Sequence, residues 1–305
     1  MSDSKHVSGF VSILGRPNAG KSTLLNALVG MKVAIVADKP QTTRTTVQGV
    51  MTEPGYQVVF IDTPGIHKAD TSIQKRMMDA VRAALDERDA LLYLIDASTP
   101  FGEDDRQALS LLKKSDAPVI AVFNKIDLLK DKALLLPLIE QYNKEFPFVA
   151  SFPISASRKD GLDELKAEIV RHLPEGPPYF PEDHVTDQPE RFLAAELIRE
   201  KALLLTREEV PHSVAVLIDR WEETPQITRI FATLYVEREG QKRILIGVKG
   251  SMMKRIGTMA REEMEKLFGV RVFLSLFVKV QPGWREKSAF LNTIDWRTMT
   301  GADEK

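Results

Sequence analysis

The sequence predicts an α/β domain with a mixed, mostly parallel sheet over residues 1–173, followed by a smaller α+β domain over residues 190–305. Three observations support this division. Short apolar segments alternate with helical patterns up to about residue 173, as in open α/β sheets. Five prolines within residues 174–189 predict a semi-rigid linker. Beyond the linker, helices and strands lose the β-α-β rhythm, which indicates a separate α+β domain.

The strands of the first domain are predicted from continuous apolar segments, which are typical of strands buried on both faces. These segments are residues 10–14, 57–61, 90–95, 118–123 and 149–154. Residues 46–52 and 56–61 flank Glu53-Pro54-Gly55, so they predict a hairpin. One edge of the sheet is therefore antiparallel.

The second domain is predicted to follow the order α-β-β-α-α-β. We expect a helix over residues 190–205, strands over 214–222 and 227–239, two helices separated by glycines, and a strand over 272–280.

Composition excludes several classes of protein. The 42 Lys and Arg residues nearly balance 43 Asp and Glu, so the chain is not a globally basic nucleic-acid coat. The absence of cysteine excludes disulfides, thiolate zinc sites and thiol nucleophiles. The chain begins without the apolar segment of a signal peptide, and it has no apolar run of roughly 18 residues. We expect a cytoplasmic protein.

The pattern G-x-x-x-x-G-K-[ST] lies between the first apolar segment and a helix predicted over residues 22–28. Glycines let successive N–H groups point inward, and the helix N-terminus adds positive charge, so this loop suits a nucleotide triphosphate. Lys21 is expected to reach the β- and γ-phosphates, and Ser22 to bind Mg²⁺. The residues expected to contact the nucleotide here are Gly15, Arg16, Pro17, Asn18, Ala19, Gly20, Lys21, Ser22 and Thr23.

Guanine recognition is predicted from Asn124-Lys125-Ile126-Asp127, which follows an apolar strand. The Asp127 carboxylate can accept the N1–H and the 2-amino proton of guanine, a donor pair that adenine lacks. Asn124 would brace the loop, and the Lys125 stem would cover the base. Backbone amides of Ser155 and Ala156 are available to guanine O6.

A second metal ligand is expected at Asp62-Thr63-Pro64-Gly65, because Asp62 follows a strand and can hold a water of Mg²⁺. The Gly65 amide would contact the γ-phosphate. By itself this motif is equally typical of a tight turn. Thr43, in the segment before the hairpin, offers a hydroxyl, so the expected metal ligands are Ser22, Thr43 and Asp62.

These five motifs, in this order, resemble the G1 to G5 motifs of the translation-factor-related P-loop GTPases. The resemblance implies Mg²⁺-dependent hydrolysis of GTP to GDP, with switch segments at residues 32–46 and 63–79 that reorder with the γ-phosphate. Ile66 stands where Ras-like enzymes have a water-orienting glutamine. This departure resembles GTPases that use K⁺, in which the position of Asn18 contacts the ion. We expect slow turnover, faster in K⁺ than in Na⁺, with the catalytic residues Lys21, Thr43, Gly65 and Asn18.

A G-x-x-G motif at residues 247–250 lies in a basic stretch, since residues 238–261 hold seven Lys and Arg against one acidic residue. Two glycines let RNA phosphates approach the chain ahead of a helix N-terminus. With the α-β-β-α-α-β order, this resembles a type II KH domain, which implies binding of single-stranded RNA. The expected RNA contacts are Gly247, Val248, Lys249, Gly250, Lys254 and Arg255, and Ile244, Leu245 and Ile246 would floor the groove. For Trp284, stacking on a base and burial both remain open.

The combination of both domains is similar to the Era family of ribosome-assembly GTPases over nearly the whole chain, including residues 195–201 and 206–213. That resemblance implies binding near the 3′ end of 16S rRNA, a role in 30S subunit maturation and peripheral contact with the inner membrane. We expect a monomer. Two other functions are open: a GTPase whose basic patch binds an acidic protein, and an NTP-dependent kinase that phosphorylates a small molecule.

Overall fold

The computed structural model describes residues 6–39, 41–208 and 210–295. The chain clusters into two compact units. The first unit holds residues up to 34, 43–69 and 76–187, and the second unit holds residues 35–42, 70–75 and those from 188 onward. The last ten residues of the predicted second domain lie outside the described residues.

The first unit contains a six-stranded sheet in the order β2-β3-β1-β4-β5-β6. Only the hairpin of β2 and β3 is antiparallel, and the other neighbouring pairs are parallel, so the prediction of a mixed, mostly parallel sheet is confirmed. The strands are β1 (Val7–Gly15), β2 (Val47–Glu53), β3 (Tyr56–Asp62), β4 (Ala90–Asp96), β5 (Val119–Asn124) and β6 (Ala150–Pro153).

Both faces of this sheet are covered by helices, which explains the continuous apolar segments of the sequence. In β4, Leu92 and Leu94 lie in one apolar cluster, whereas Leu91 and Tyr93 lie in the other. The helices of this part of the chain are α1 (Lys21–Val29), α2 (Ser72–Ala83), α3 (Glu103–Leu112), α4 (Leu135–Glu145) and α5 (Leu162–Arg171).

The parallel strands end at one edge of the sheet. Gly15 ends β1, Asp62 ends β3, Asp96 ends β4 and Asn124 ends β5. Residues that are far apart in the sequence therefore meet at the carboxyl edge, where open α/β sheets bind their ligands.

The proline-rich segment belongs to the first unit as far as Asp187. The Gln57 side chain accepts hydrogen bonds from the backbone amides of Tyr179 (2.7 Å) and Phe180 (2.9 Å). The Val50 amide in β2 donates to the Val185 carbonyl at 2.8 Å. Hydrogen bonds to the sheet thus hold most of the predicted linker in place, in addition to the stiffness of its prolines.

The second unit contains a three-stranded sheet in the order β7-β8-β9, with β7 antiparallel and β9 parallel to β8. The predicted order α-β-β-α-α-β is present, and two short helices, α7 and α10, add to it. The elements are α6 (Glu190–Leu205), α7 (Val210–Ser213), β7 (Ala215–Glu223), β8 (Thr228–Val236), α8 (Glu239–Ile246), α9 (Ser251–Phe268), β9 (Val272–Val280) and α10 (Ser288–Thr293).

The strand predicted over residues 227–239 was wrong at its C-terminal end. The strand ends at Val236, and α8 begins three residues later at Glu239. The Gln241 side-chain oxygen accepts hydrogen bonds from the amides of Glu237 (2.9 Å) and Arg238 (3.0 Å). This side chain caps the turn that precedes the helix, so the chain leaves the sheet early.

Trp284 is fully buried, and its indole nitrogen donates to the Ser213 carbonyl at 2.9 Å. Its ring packs against Phe290, with ring centroids 5.6 Å apart. Of the two open interpretations, burial is therefore the observed one, because a side chain in this position has no exposed face for a base.

Candidate functional site

The loop between β1 and α1 has a backbone that depends on its glycines. Gly15 has φ 149° and Gly20 has φ 96°. A Cβ on Gly15 would lie 2.4 Å from the Leu94 carbonyl oxygen, and one on Gly20 would lie 2.3 Å from the Asn124 side-chain nitrogen. Asn18 also has a left-handed conformation, with φ 62°, which asparagine tolerates better than most residues. The two glycines of the phosphate-loop pattern are therefore required, because any larger residue at these positions would clash with neighbouring atoms.

Lys21 is the first residue of α1, and it is buried beneath this loop. Its Nζ donates to the carbonyls of Arg16 (3.0 Å) and Gly15 (3.3 Å). Burial lowers the pKa of Lys21 to about 8, although the charge of Asp62 opposes this shift. A triphosphate at the loop would add negative charge and favour the ammonium form.

Three oxygen-bearing side chains meet beside Lys21. The Ser22 Oγ donates to Asp62 Oδ2 at 2.6 Å and lies 2.9 Å from Thr43 Oγ1, which is 3.4 Å from the same carboxylate oxygen. Asp62 is fully buried, and its Oδ1 has no hydrogen-bond partner among the described residues. A buried, half-satisfied carboxylate with two hydroxyls is the hard oxygen donor set that Mg²⁺ requires. The residues therefore fit this metal.

Burial raises the pKa of Asp62 to about 6, against the opposing effects of Lys21 and of hydrogen bonds from Ser22, Thr63 and Thr43. A divalent cation at this carboxylate would stabilise its charged form.

Residues 63–66 hold the turn after β3 against the phosphate loop. Thr63 Oγ1 donates to the Ile13 carbonyl at 2.9 Å, and the Ile66 amide donates to the Gly15 carbonyl at 3.1 Å. A Cβ on Gly65 would lie 2.7 Å from the Cα of Pro17, so only glycine fits there. The Ile66 side chain is buried in an apolar cluster. Its position therefore supplies no group that orients water.

Asn124 links the phosphate loop to the predicted guanine site. Its Nδ2 donates to the Ala19 carbonyl at 2.8 Å, and its Oδ1 accepts from the Ala156 amide at 2.9 Å. Ser155 Oγ donates to Asp127 Oδ1 at 2.6 Å. The structure thus brings together the motifs at residues 15–22, 124–127 and 155–156.

Three residues that support the site were not predicted from the sequence. Asp96, at the end of β4, lies 2.7 Å from Lys125 Nζ, and Arg158 lies 3.7 Å from Asp127. Asp105, a buried residue of α3, pairs with Arg16 of the phosphate loop at 2.9 Å. Asp96 could have been predicted as a site residue, because it is a polar residue at the end of a strand. Arg158 and Asp105 belong to no sequence motif that would have predicted their roles.

The G-x-x-G motif connects α8 to α9 through a left-handed loop. Gly247, Lys249 and Gly250 have φ values of 71°, 50° and 77°. Val248, at the tip, is 82% exposed. A Cβ on Gly247 would lie 2.7 Å from Met252 Cβ, whereas one on Gly250 would meet open space. The loop therefore presents its backbone outward at the start of the longest helix of this unit.

A cavity of about 610 Å³ lies beside this loop. Its wall on α9 includes Lys254 and Arg261, and its floor includes residues 274–278 of β9. Strand β9 is at the edge of its sheet, so backbone groups on its outer side are not paired within that sheet. Arg261 is already paired with Glu265 at 2.7 Å.

The expected floor of Ile244, Leu245 and Ile246 was mostly wrong. Only Ile246 lines the cavity, because Leu245 is fully buried in the core and Ile244 is half exposed on the helix surface. A helix turns its side chains through 100° per residue, so three consecutive residues cannot share one face. Arg255 does not line the cavity either.

The family comparisons agree with both sites. A family model described as "50S ribosome-binding GTPase" matches residues 10–125, and a KH domain model matches residues 209–285. GTPase Era of Geobacter metallireducens is 47% identical over 298 residues, covering 97% of this chain and all of that protein. GTPase Era of Leuconostoc citreum is 48% identical, covering 97% of this chain and 98% of that protein.

Two solved structures are also similar, each with 42% identity, a TM-score of 0.92 and coverage of 95% of this chain and 99% of theirs. One is Era in complex with MgGDPNP and nucleotides 1506–1542 of 16S ribosomal RNA. The other is an Aquifex aeolicus Era variant bound to GDP and AlF4⁻. These relatives are 47% and 48% identical over 97% of this chain, and the structure contains both the phosphate loop and the G-x-x-G loop. The chain therefore belongs to the Era family of GTPases.

Proposed function

We propose that this protein hydrolyses GTP and uses that reaction to control its binding to 16S rRNA near the 3′ end during 30S subunit assembly. The observation that carries the proposal is the presence, in one chain, of a phosphate loop joined through Asn124 to the predicted guanine site, and of a basic G-x-x-G loop. The similar structure solved with MgGDPNP and a 16S rRNA segment supports both halves.

For nucleotide binding, we assign the phosphates to the loop at residues 15–23 and the guanine to Asp127. Asn124, which bonds to Ala19 and Ala156, keeps these two subsites at a constant separation. The prediction that the amides of Ser155 and Ala156 bind guanine O6 is not kept, because they already donate to the Asp160 carbonyl at 3.1 Å and to Asn124 Oδ1 at 2.9 Å. Lys125 would cover the base, with its ammonium group held by Asp96.

For hydrolysis, Ser22, Thr43 and Asp62 would hold Mg²⁺, which neutralises charge on the β- and γ-phosphate oxygens. Lys21 and the Gly65 amide contact the γ-phosphate and stabilise the negative charge that develops as its bond to the β-phosphate oxygen breaks. Water attacks the phosphorus, and GDP and phosphate leave. Ile66 provides no water-orienting group, so we expect slow intrinsic turnover.

For the cation, we propose that Asn18 binds K⁺ beside the phosphates, where a positive charge accelerates the reaction. Turnover should then be faster in K⁺ than in Na⁺. The Asn18→Gly variant keeps the left-handed backbone without strain and should lose this difference. Phosphate release measured in both salts tests the assignment, and equal wild-type rates would contradict it.

For RNA, we propose that the loop at residues 247–250 clamps a single strand, with Lys254 and Arg255 on its phosphates. The test is crosslinking in cells followed by RNA sequencing, comparing the wild type with a variant in which Gly247 and Gly250 are both substituted. We expect the wild type to enrich small-subunit rRNA and the variant to lose it. No enrichment by the wild type would reject the ribosomal role and leave GTP hydrolysis intact.

The competing function is a GTPase whose basic patch binds an acidic protein. Single-stranded RNA should displace the partner if the patch is an RNA site, because both ligands would use the same loop. Failure of RNA to compete would favour the protein partner.

We infer that the protein acts as a monomer in the cytoplasm, where ribosomes assemble. In the part of the chain that the structure describes, no helix has the length and apolar character needed to span a bilayer. Peripheral contact with the inner face of the membrane is a separate prediction, which flotation with vesicles would test. Light scattering of the purified protein would test the monomeric state.

A further inference from the structure

The side chain of Arg16, in the phosphate loop, is held by a buried carboxylate of α3. Arg16 Nη1 donates to Asp105 Oδ2 at 2.9 Å, and the Asp105 side chain is only 3% exposed. Arg16 Nη2 donates to Asp104 Oδ2 at 3.3 Å, but the Asp104 side chain is 69% exposed. Water and salt weaken an exposed ion pair far more than a buried one, so Asp105 is the stronger anchor. All three residues lie in the first unit.

The Asp105 carboxylate is itself fixed by two further donors. The Gly102 amide, at the start of α3, donates to the same Oδ2 at 2.9 Å. The Tyr142 hydroxyl of α4 also forms a hydrogen bond with Asp105. Burial, together with the charge of Asp105, raises the pKa of Tyr142, so this hydroxyl keeps its proton and remains a donor. A buried carboxylate with three donors is a rigid acceptor that is formed before any ligand binds.

Anchoring the Arg16 side chain also restrains the backbone that lines the phosphate site. The Arg16 carbonyl accepts from Lys21 Nζ at 3.0 Å and from the Ala19 amide at 3.4 Å. The next residue is Pro17, and a Cβ on Gly65 would lie 2.7 Å from its Cα, so the turn after β3 packs directly on the loop there. A displacement of Arg16 would therefore disturb Lys21 and the Gly65 amide, the groups assigned to the γ-phosphate.

We propose that Asp105 is a positioning residue, which keeps the phosphate loop in its binding conformation through Arg16. The inference rests on the proposed function, since it concerns the loop assigned there to the phosphates of GTP. A loop that is ordered before binding loses less conformational freedom when the nucleotide enters, and its affinity is higher for that reason. Asp105 should therefore act on the binding of GTP rather than on the chemical step.

Steady-state hydrolysis of GTP by Asp105→Ala tests this role. Because slow turnover is expected, KM should equal the dissociation constant of GTP. We expect KM to rise about 10-fold, the cost of ordering one long side chain during binding. Bound phosphates should order the loop in the variant too, so kcat should change less than about 2-fold. Asp105→Asn keeps an acceptor for Arg16 and should restore part of the loss.

The alternative is that Asp105 serves only the stability of the fold. Partial unfolding of Asp105→Ala would reduce the concentration of active protein, which lowers the apparent kcat and leaves KM unchanged. An unchanged KM, with or without a lower kcat, would overturn the inference. If the wild type neither binds nor hydrolyses GTP, the proposed function itself is wrong.

A double-mutant cycle tests whether Asp105 acts through Arg16. Arg16→Ala should raise KM by a factor similar to that of Asp105→Ala. The double variant should raise KM no further, because each single substitution already removes the same ion pair. A product of the two factors, about 100-fold, would show that the two residues act independently, and it would contradict the inference.

Two tyrosines near Asp105 provide a matched pair of variants. Tyr142 and Tyr93 lie in the same apolar cluster, with ring centroids 6.4 Å apart. The Tyr93 hydroxyl is buried and has no hydrogen-bond partner among the described residues. Tyr142→Phe removes a donor to Asp105 and should raise KM about 3-fold, whereas Tyr93→Phe should leave KM unchanged. An equal KM in these two variants would contradict a role for the fixed carboxylate.

Discussion

At the scale of single residues, base specificity depends on Asp127. Its Oδ1 accepts from Ser155 Oγ at 2.6 Å, which fixes the carboxylate at the predicted guanine site. In Asp127→Asn, the side chain presents an N–H group to the guanine donors. We expect GTP affinity to fall about 100-fold or more, because a buried polar mismatch is expensive. Xanthosine triphosphate should gain affinity, since its C2 carbonyl accepts that N–H group. Competition binding measures both effects.

The control for this variant is Asp131→Asn. Asp131 is exposed and accepts a hydrogen bond from the Ala133 amide at 2.8 Å, outside the site. Its substitution should not change nucleotide preference. A gain of ATP rather than xanthosine triphosphate in Asp127→Asn would contradict the assignment.

Asp62 predicts a pH dependence of stability. Burial raises its pKa from 3.8 to about 6 in the folded protein, so the folded state binds the proton more tightly than the unfolded state does. Stability should therefore fall as the pH rises from about 4 through about 6. In EDTA and without nucleotide, Asp62→Asn should be more stable than the wild type by about 3 kcal/mol at pH 8 and nearly equal at pH 4.

Denaturant unfolding at both pH values measures this difference. With Mg²⁺ and GTP the order should reverse, because the variant lacks a ligand and gains less from binding. A stabilisation that does not depend on pH would mean that the charge of Asp62 is not its cause.

At the scale of elements, the loop between α8 and α9 should be essential for RNA binding but not for folding. A Cβ on Gly250 meets open space, although its φ is 77°. Gly250→Asp adds a negative charge where phosphates are expected, and it should weaken RNA binding at least about 10-fold through charge repulsion. Filter binding with single-stranded RNA measures the loss.

Gly240→Asp is the matched control, because a Cβ there also meets open space and its φ is not left-handed. It lies near the start of α8, where an aspartate is tolerated. Equal RNA affinity in both variants would show that the G-x-x-G loop is not the RNA site.

Elements with a regular pattern were predictable, whereas those set by single contacts were not. The hairpin of β2 and β3 follows from Pro54 and Gly55 between two apolar runs. The start of α8 depends on hydrogen bonds that Gln241 accepts from two backbone amides. The periodicity of the sequence does not predict these bonds. The helix face of Leu245 was misjudged because a buried residue and a groove-lining residue have the same apolar character.

At the scale of the whole molecule, the balanced net charge of −1 conceals a local basic region. If Lys249, Lys254 and Arg255 each neutralise one phosphate, the logarithm of RNA affinity should fall with the logarithm of salt with a slope of about −2. Lys254→Gln should reduce the slope by about 0.7. Lys266→Gln, at an exposed site further along α9, should leave it unchanged. RNA affinity without salt dependence would contradict phosphate contacts by these residues.

The sequence by itself determined the class of both domains and the positions of the nucleotide motifs. Each motif is a short, continuous segment, and its chemistry depends on local backbone freedom, as at Gly15 and Gly20. The family resemblance depends on the same segments, so it could be recognised from the sequence alone.

Only the tertiary structure decided which distant residues support those motifs. Arg16 donates to Asp105, which lies 89 residues away in the sequence, and Asn124 donates to the Ala19 carbonyl, which lies 105 residues away. Glu200 accepts the Val36 amide across 164 residues. Such pairs form because the packing of the whole core brings helices and strand ends together, and that packing free energy is summed over many residues rather than carried by any one of them. A local pattern therefore predicts a phosphate loop, but not the distant side chains, such as Asp105 and Asn124, that hydrogen-bond to it.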